Sequence, residues 1–194
     1  YNQKDFEELI DFDVYALCGD GCMMEGIASE AASLAGHLRL SKLCWIYDSN
    51  RITIEGHTAL AFSEDVATRF MAYGWNVTRV GDANDLAMLG RAFEVFQNTD
   101  DRPTLIIVDS HIGWGSPHKQ DTSAAHGGPL GEEEVRLTKE NYGWPLEPTF
   151  YIPDGVYDHF SAGIGQRGGQ LRDAWFGRLK QYRMAHPELA DELD

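Results

Sequence analysis

Residues 14–21 read Val-Tyr-Ala-Leu-Cys-Gly-Asp-Gly, and residues 43–50 read Leu-Cys-Trp-Ile-Tyr-Asp-Ser-Asn. Each is a short apolar run that stops at a polar, turn-forming cluster, which predicts strands over 14–18 and 43–47. Between them Ile27, Ala31, Leu34, Ala35 and Leu38 recur at helical spacing, so a helix is expected over 24–40. The alternation continues. A helix is expected over 64–73, stopped at Gly74, then a strand over 75–80. A helix over 85–97 follows, capped by Asn84 or Asp85. The strand expected over 104–109, Thr-Leu-Ile-Ile-Val-Asp, is apolar through its middle, as a strand covered on both faces is. This order predicts an α/β fold with a mainly parallel sheet flanked by helices. Ligands of such folds lie beyond the carboxyl ends of the strands, where both polar clusters fall.

Composition narrows the function. Of 194 residues, 43% are hydrophobic and 11% aromatic, enough for a real core. Lysine and arginine number 16 against 31 aspartate and glutamate, a formal net charge of -15 that disfavours nucleic acid as a partner. No run of 18 apolar residues is present, which argues against a membrane span. Cys18, Cys22 and Cys44 make no disulfide framework and suggest a reducing, cytoplasmic setting.

Beyond the fourth strand, residues 111–129 form a long loop rich in Gly, Ser and His, a length usually reserved for function. A helix over 131–141 carries Glu132, Glu133 and Glu134 at its positive end. Pro145, Pro148 and Pro153 then break the pattern, 161–170 reads as a flexible crossing with four glycines, and 171–185 as a last helix. Two parts are therefore expected: a binding domain over 1–144 and a linker-like extension over 145–194.

Asp20 stands between two glycines that let the backbone turn sharply and a ligand approach closely. Its carboxylate and the amide oxygen of Asn50, at the end of the next strand, are hard donors suited to Mg²⁺ or Ca²⁺. Mg²⁺ commonly completes its shell with phosphate and water. Gly-Asp-Gly alone is an ordinary turn; the two clusters at two strand ends, one helix apart, point to an ion.

Gly19-Asp20-Gly21, then 28 residues (22–49), then Asn50, resembles the thiamine diphosphate motif. The strings Gly-Asp-Gly-Cys-Met-Met-Glu-Gly-Ile (19–27), Ser-Leu-Ala-Gly-His-Leu (33–38) and Ile-Tyr-Asp-Ser-Asn-Arg-Ile-Thr-Ile-Glu-Gly (46–56) resemble the transketolase family. So do Ala-Tyr-Gly-Trp (72–75), Ile-Gly-Trp-Gly-Ser (112–116) and His-Gly-Gly-Pro-Leu (126–130). The resemblance implies two-carbon ketol transfer between sugar phosphates, with thiamine diphosphate and Mg²⁺ (or Ca²⁺), in the pentose phosphate pathway. It implies a homodimer, or association with segments outside this chain. The chain would correspond to the later part of the diphosphate-binding domain plus the start of a linker to a pyrimidine-binding domain, and would be inactive alone.

Carried over residue by residue, Asp20, Asn50 and the carbonyl of Ile52 would hold the metal. Gly19, Asp20, Gly21, Glu25, Asp48, Asn50 and His126 would bind the cofactor, and His126 and Glu30 would serve catalysis. The resemblance places Glu30 in an acid network across the dimer; the residue pattern alone equally allows a stripe-edge carboxylate reaching water. Glu25 reads either as a cofactor-side orienting group or as a charge in a helix's first turn. His111 and His118 flank the long loop, His37 and His57 read as surface or packing residues, and Cys18 reads as a buried thiol. Arg51 and Lys119 lie in site-side loops as solvated charges or phosphate partners. Dihydroxyacetone synthase, another thiamine diphosphate enzyme subunit, and a non-catalytic fragment that binds a partner chain remain as alternatives. A Mg²⁺ phosphohydrolase lacks any motif placing a nucleophile.

Overall fold

The computed structural model describes residues 6, 7 and 9–193. The chain runs β1 (Val14–Gly19), α1 (Asp20–Met24), α2 (Gly26–His37), β2 (Leu43–Ser49), β3 (Ile52–Thr53), β4 (Gly56–His57), α3 (Val66–Ala72), β5 (Asn76–Val80), α4 (Leu86–Gln97) and β6 (Thr104–Asp109). After these come α5 (Glu132–Asn141), α6 (Val156–Phe160), a π-helical stretch Ser161–Arg167, α7 (Gly168–Ala185) and α8 (Pro187–Leu193). The helix expected over 24–40 is α2, Gly26–His37, and the short α1 precedes it. Glu25, with φ −75° and ψ 133°, is extended and separates α1 from α2.

The sheet Asp13–Leu146 is built around is parallel throughout, in the order β1-β2-β6-β5. β6 is buried from Thr104 to Val108 because its two faces meet different helices. Leu105 and Ile107 pack with Ala32 and Ala35 of α2 and Phe70 of α3. Ile106 and Val108 pack with Ala92 and Phe96 of α4. Complete burial of one such side chain contributes about 1.5–3 kcal/mol. The α/β class with a doubly covered parallel sheet is thus the observed one. Two N-caps are as the chemistry dictates: Asp65 accepts from the Thr68 amide at 3.1 Å, and Asp85 from the Met88 amide at 2.8 Å.

Of the expected apolar stripe of α2, the large residues do not face the sheet. Ala32 and Ala35 do, while Ile27 is 70% exposed and Leu34 57%. The small face wins because α2 lies close: Trp75 Nε1 donates to the Ala32 carbonyl at 2.8 Å. At Gly36 an added Cβ would stand 1.9 Å from the Tyr73 carbonyl oxygen. β1, an edge strand, leaves Leu17 77% exposed.

The described residues up to Phe12 and from Glu147 onward form a second compact unit. Among its described residues Phe6, Leu9, Tyr182 and Ala190 make a small core, and Trp175 Nε1 donates to the Leu9 carbonyl at 2.8 Å. The stretch 161–170, expected as a flexible crossing, is helical, its first part with the wider π-helical turn.

Gly36→Ala tests the close approach of α2. Overpacking against a backbone carbonyl costs about 1–3 kcal/mol. We expect a loss of that size in urea unfolding, whereas Gly90→Ala, where a Cβ meets open space, should leave stability equal or higher.

Candidate cofactor site

β1 and β2 pair in register so that Gly19 stands beside Asp48, which brings the two polar clusters to one end of the sheet. Asp20 is the first residue of α1 and is buried, 5% exposed. Its Oδ1 accepts from the Tyr47 hydroxyl at 2.6 Å and its Oδ2 from the Arg51 amide at 2.9 Å. Ser49 hydrogen-bonds the Tyr47 hydroxyl in turn. Tyr47 and Ser49 share a face of β2 because strand side chains alternate with a period of two. Burial, reinforced by the bond to Asp20, pushes the Tyr47 hydroxyl well above the usual phenol range, so it remains a donor.

Asn50 Oδ1 accepts from the Ile52 amide at 3.0 Å, closing a turn two residues long. Arg51 lies inside that turn at φ 64°, and its carbonyl accepts from the Thr58 amide at 2.9 Å. Added Cβ atoms at Gly19 and Gly21 would meet nothing within 4 Å, so the backbone there is open to an approaching group.

The donor set fits a hard divalent cation. A carboxylate carries about four lone-pair sites, and the two bonds shown for Asp20 use only part of them. Both partners are neutral, and a buried carboxylate without a counter-charge is costly. Asn50 Oδ1 and the Ile52 carbonyl add oxygen donors of the type Mg²⁺ takes. No group of three or more His, Cys, Asp or Glu able to hold a metal occurs among the described residues.

Two cavities border this corner. One of about 230 Å³ touches Asp20, Tyr47, Ser49, Arg51 and Arg79. The other, about 620 Å³, touches Asn50, Arg51, Ile52, His57, Asp109, His111 and Trp114. Arg79 holds Asp109 in a two-pronged ion pair, at 2.8 and 2.6 Å. His111 Nδ1 is 2.9 Å from Asp121, and its ring lies against Trp114 with centroids 5.3 Å apart.

The other candidate residues lie elsewhere. Asp48 is one position along β2 from Tyr47, hence on the opposite face, and accepts from Ser110. Glu25 is exposed and makes no side-chain cap. Glu30 is exposed on the outer face of α2, between Ile27 and Leu34. His126 is exposed at the end of a 3-10 turn, Ser123–Ala125, and neither cavity includes it among its lining residues. Cys18 and Cys44 are thiols that burial pushes up to about 12, well outside the reactive range.

Two features were not foreseen from the residues. Tyr47 reads as one more apolar strand residue, and only its two-residue offset from Ser49 hints at a shared polar face. Glu134 reads as a helix-end charge, yet it is buried and ties the long loop to α5. It accepts from the Ser116 hydroxyl and from the His118 amide at 2.8 Å, and His118 Nδ1 is 2.9 Å away. Nearby, Gly115 at φ 79° lies where a Cβ would strike the Tyr142 ring at 2.5 Å. The hydrogen bond from Ser116 above all, then those from His118, lowers the Glu134 carboxyl to about 2.

A group whose folded value is depressed contributes stability above its ordinary value and loses it as pH falls through the folded one. Loop closure on α5 should therefore hold above pH 4.5 and weaken between about pH 4.5 and 2. Protection factors of the amides in residues 111–131, which divide out the intrinsic pH dependence of exchange, should fall as pH drops through that window, and Glu134→Gln should show low protection that changes little with pH. Tyr47→Phe removes the donor on a buried carboxylate and should cost about 1–2 kcal/mol in urea unfolding.

Comparison with known proteins agrees with this geometry. The family model for the transketolase thiamine diphosphate binding domain matches residues 1–194. The transketolase of Geobacillus stearothermophilus is 49% identical over 193 residues, and that of Bacillus subtilis (strain 168) 45% over 194; both matches cover 100% of this chain and 29% of the relative. A Pichia stipitis transketolase, solved in complex with sedoheptulose-7-phosphate, superposes with a TM-score of 0.91 at 36% identity, covering 100% of this chain and 28% of that one. A Leishmania mexicana transketolase gives 0.87 at 38% identity, covering 92% and 27%. The chain thus spans about 29% of the length of the curated relatives it matches. With the parallel sheet, the Gly-Asp-Gly turn and the Asn50 turn in these positions, the chain belongs to the transketolase family.

Proposed function

We propose that this chain supplies the metal and diphosphate side of a transketolase active site. The enzyme would transfer a two-carbon ketol unit from a ketose phosphate to an aldose phosphate. The observation that carries the reading is the buried Asp20 carboxylate, held by two neutral donors, one of which is the Arg51 amide inside the turn that Asn50 and Ile52 close. Asp20, Asn50 and the Ile52 carbonyl would hold Mg²⁺, with Ca²⁺ as a substitute, against the two phosphates of thiamine diphosphate. When bound, that cofactor supplies the electron sink for breaking a carbon–carbon bond beside a carbonyl.

The chain's own residues have distinct tasks. Tyr47 and the Arg51 amide fix the Asp20 carboxylate so that its remaining lone pairs face the ion. Gly19 and Gly21 leave room for phosphate against backbone. His126, on the long loop, would move protons or donate to substrate oxygens. The Glu134 tie holds that loop in shape, and Gly113, at φ 63°, leaves room for Ala125, whose Cβ an added side chain would approach to 3.0 Å. Glu25 would orient the turn after Gly-Asp-Gly, and Asp48 would brace the strand end through Ser110.

The exposed apolar row on α2 supports a homodimer. Ile27, Leu34 and Leu38 flank Glu30, and a second copy covering them would put Glu30 in the interface. We place the enzyme in the cytoplasm, in sugar-phosphate metabolism; no helix among the described residues is long and apolar enough to cross a membrane.

Calorimetric titration with thiamine diphosphate tests the site. Binding should require Mg²⁺ and vanish in Asp20→Ala, and Asn50→Ala should weaken it by roughly tenfold or more. Ion-independent binding, or full affinity in Asp20→Ala, would contradict the assignment.

A further inference from the structure

Arg51 occupies a position whose backbone favours glycine. Its φ of 64° is the left-handed region, which costs a residue with a Cβ roughly 1–2 kcal/mol. Three hydrogen bonds impose that conformation: Arg51 amide to Asp20, Thr58 amide to the Arg51 carbonyl, and Ile52 amide to Asn50. Each of them uses backbone at residue 51 or closes the turn around it. A glycine would satisfy them all without strain.

The side chain is exposed and contributes to the walls of both cavities at the Asp20–Asn50 corner. Among the described residues no ion pair is formed by its guanidinium, although Arg69, Arg79, Arg102, Arg136 and Arg172 each hold a carboxylate. A lone guanidinium beside a divalent-cation site repels that cation unless a polyanion lies between them. Guanidinium geometry matches two phosphoryl oxygens at once.

We propose that Arg51 is a phosphate-contacting residue that would bind the diphosphate of the cofactor. The proposal rests on the reading of this corner as the metal and diphosphate site. It makes affinity for the diphosphate depend on a residue that does not hold the ion. Arg51→Gly removes the charge and relieves the backbone while keeping the amide that holds Asp20.

The test measures affinity of the full chain for Mg²⁺–thiamine diphosphate and for Mg²⁺–pyrophosphate, with the melting temperature of the ligand-free chain. Arg51→Gly should bind both probes about ten- to a hundredfold more weakly. Its melting temperature should be equal or raised by about 2 °C. Arg51→Lys, which keeps a cation but not the fork, should recover part of the affinity. Unchanged affinity in Arg51→Gly, or a loss with thiamine diphosphate but not with pyrophosphate, would overturn the Arg51 assignment and leave the metal site standing. Failure of the wild-type chain to bind either probe, or binding that survives Asp20→Ala, would overturn the site reading and the Arg51 assignment with it.

Discussion

A buried carboxylate held only by neutral donors organises this end of the molecule. Asp20 can sit at the tip of β1 because Tyr47 reaches it from the neighbouring strand and the Arg51 amide reaches it from the turn that follows. Those two donors come from opposite ends of the same five-residue stretch, so the position of Asp20 depends on where β2 ends. The register of β1 on β2 sets that end, and the register is fixed by which residues of each strand meet helices. Packing of the sheet is in this way linked directly to the geometry of three oxygen donors.

The same logic explains why some residues are glycine and one is not. Gly36 admits the Tyr73 carbonyl and Gly115 admits the Tyr142 ring, so both serve packing. Gly19 and Gly21 face open space and serve approach. Arg51 stands where backbone geometry favours glycine, and the strain there is carried by a fully bonded turn rather than relieved. A cation placed at that cost beside the proposed ion site is what sets this corner apart from a plain connection after a strand.

Much of the fold was legible in the sequence. The strand over 104–109 announced itself as an apolar run because both of its faces are covered, and the Asp85 cap marked a helix start, whereas the Asp65 cap of α3 was not read. The face of α2 was not legible: Ile27, Leu34 and Leu38 carry the strongest apolar period, yet close approach to Trp75 and Tyr73 selects the alanine face. The helical 161–170 was missed because glycines lower helix propensity without forbidding it. That Asp20 and Asn50 come to one end of the sheet was legible from their strand-end spacing, and their hold on an ion is the proposal. Tyr47 and Glu134 were not, since their partners are 27 and 18 or 16 residues away and only the folded chain brings them together.

The central claim is that a divalent cation completes the charge of Asp20. Diffraction from crystals grown with Mn²⁺ and thiamine diphosphate, recorded at the manganese absorption edge, addresses it directly. The account predicts one strong anomalous peak within ligand distance of an Asp20 oxygen, Asn50 Oδ1 and the Ile52 carbonyl. A peak elsewhere, with Asp20 still bonded only to Tyr47 and Arg51, would contradict it.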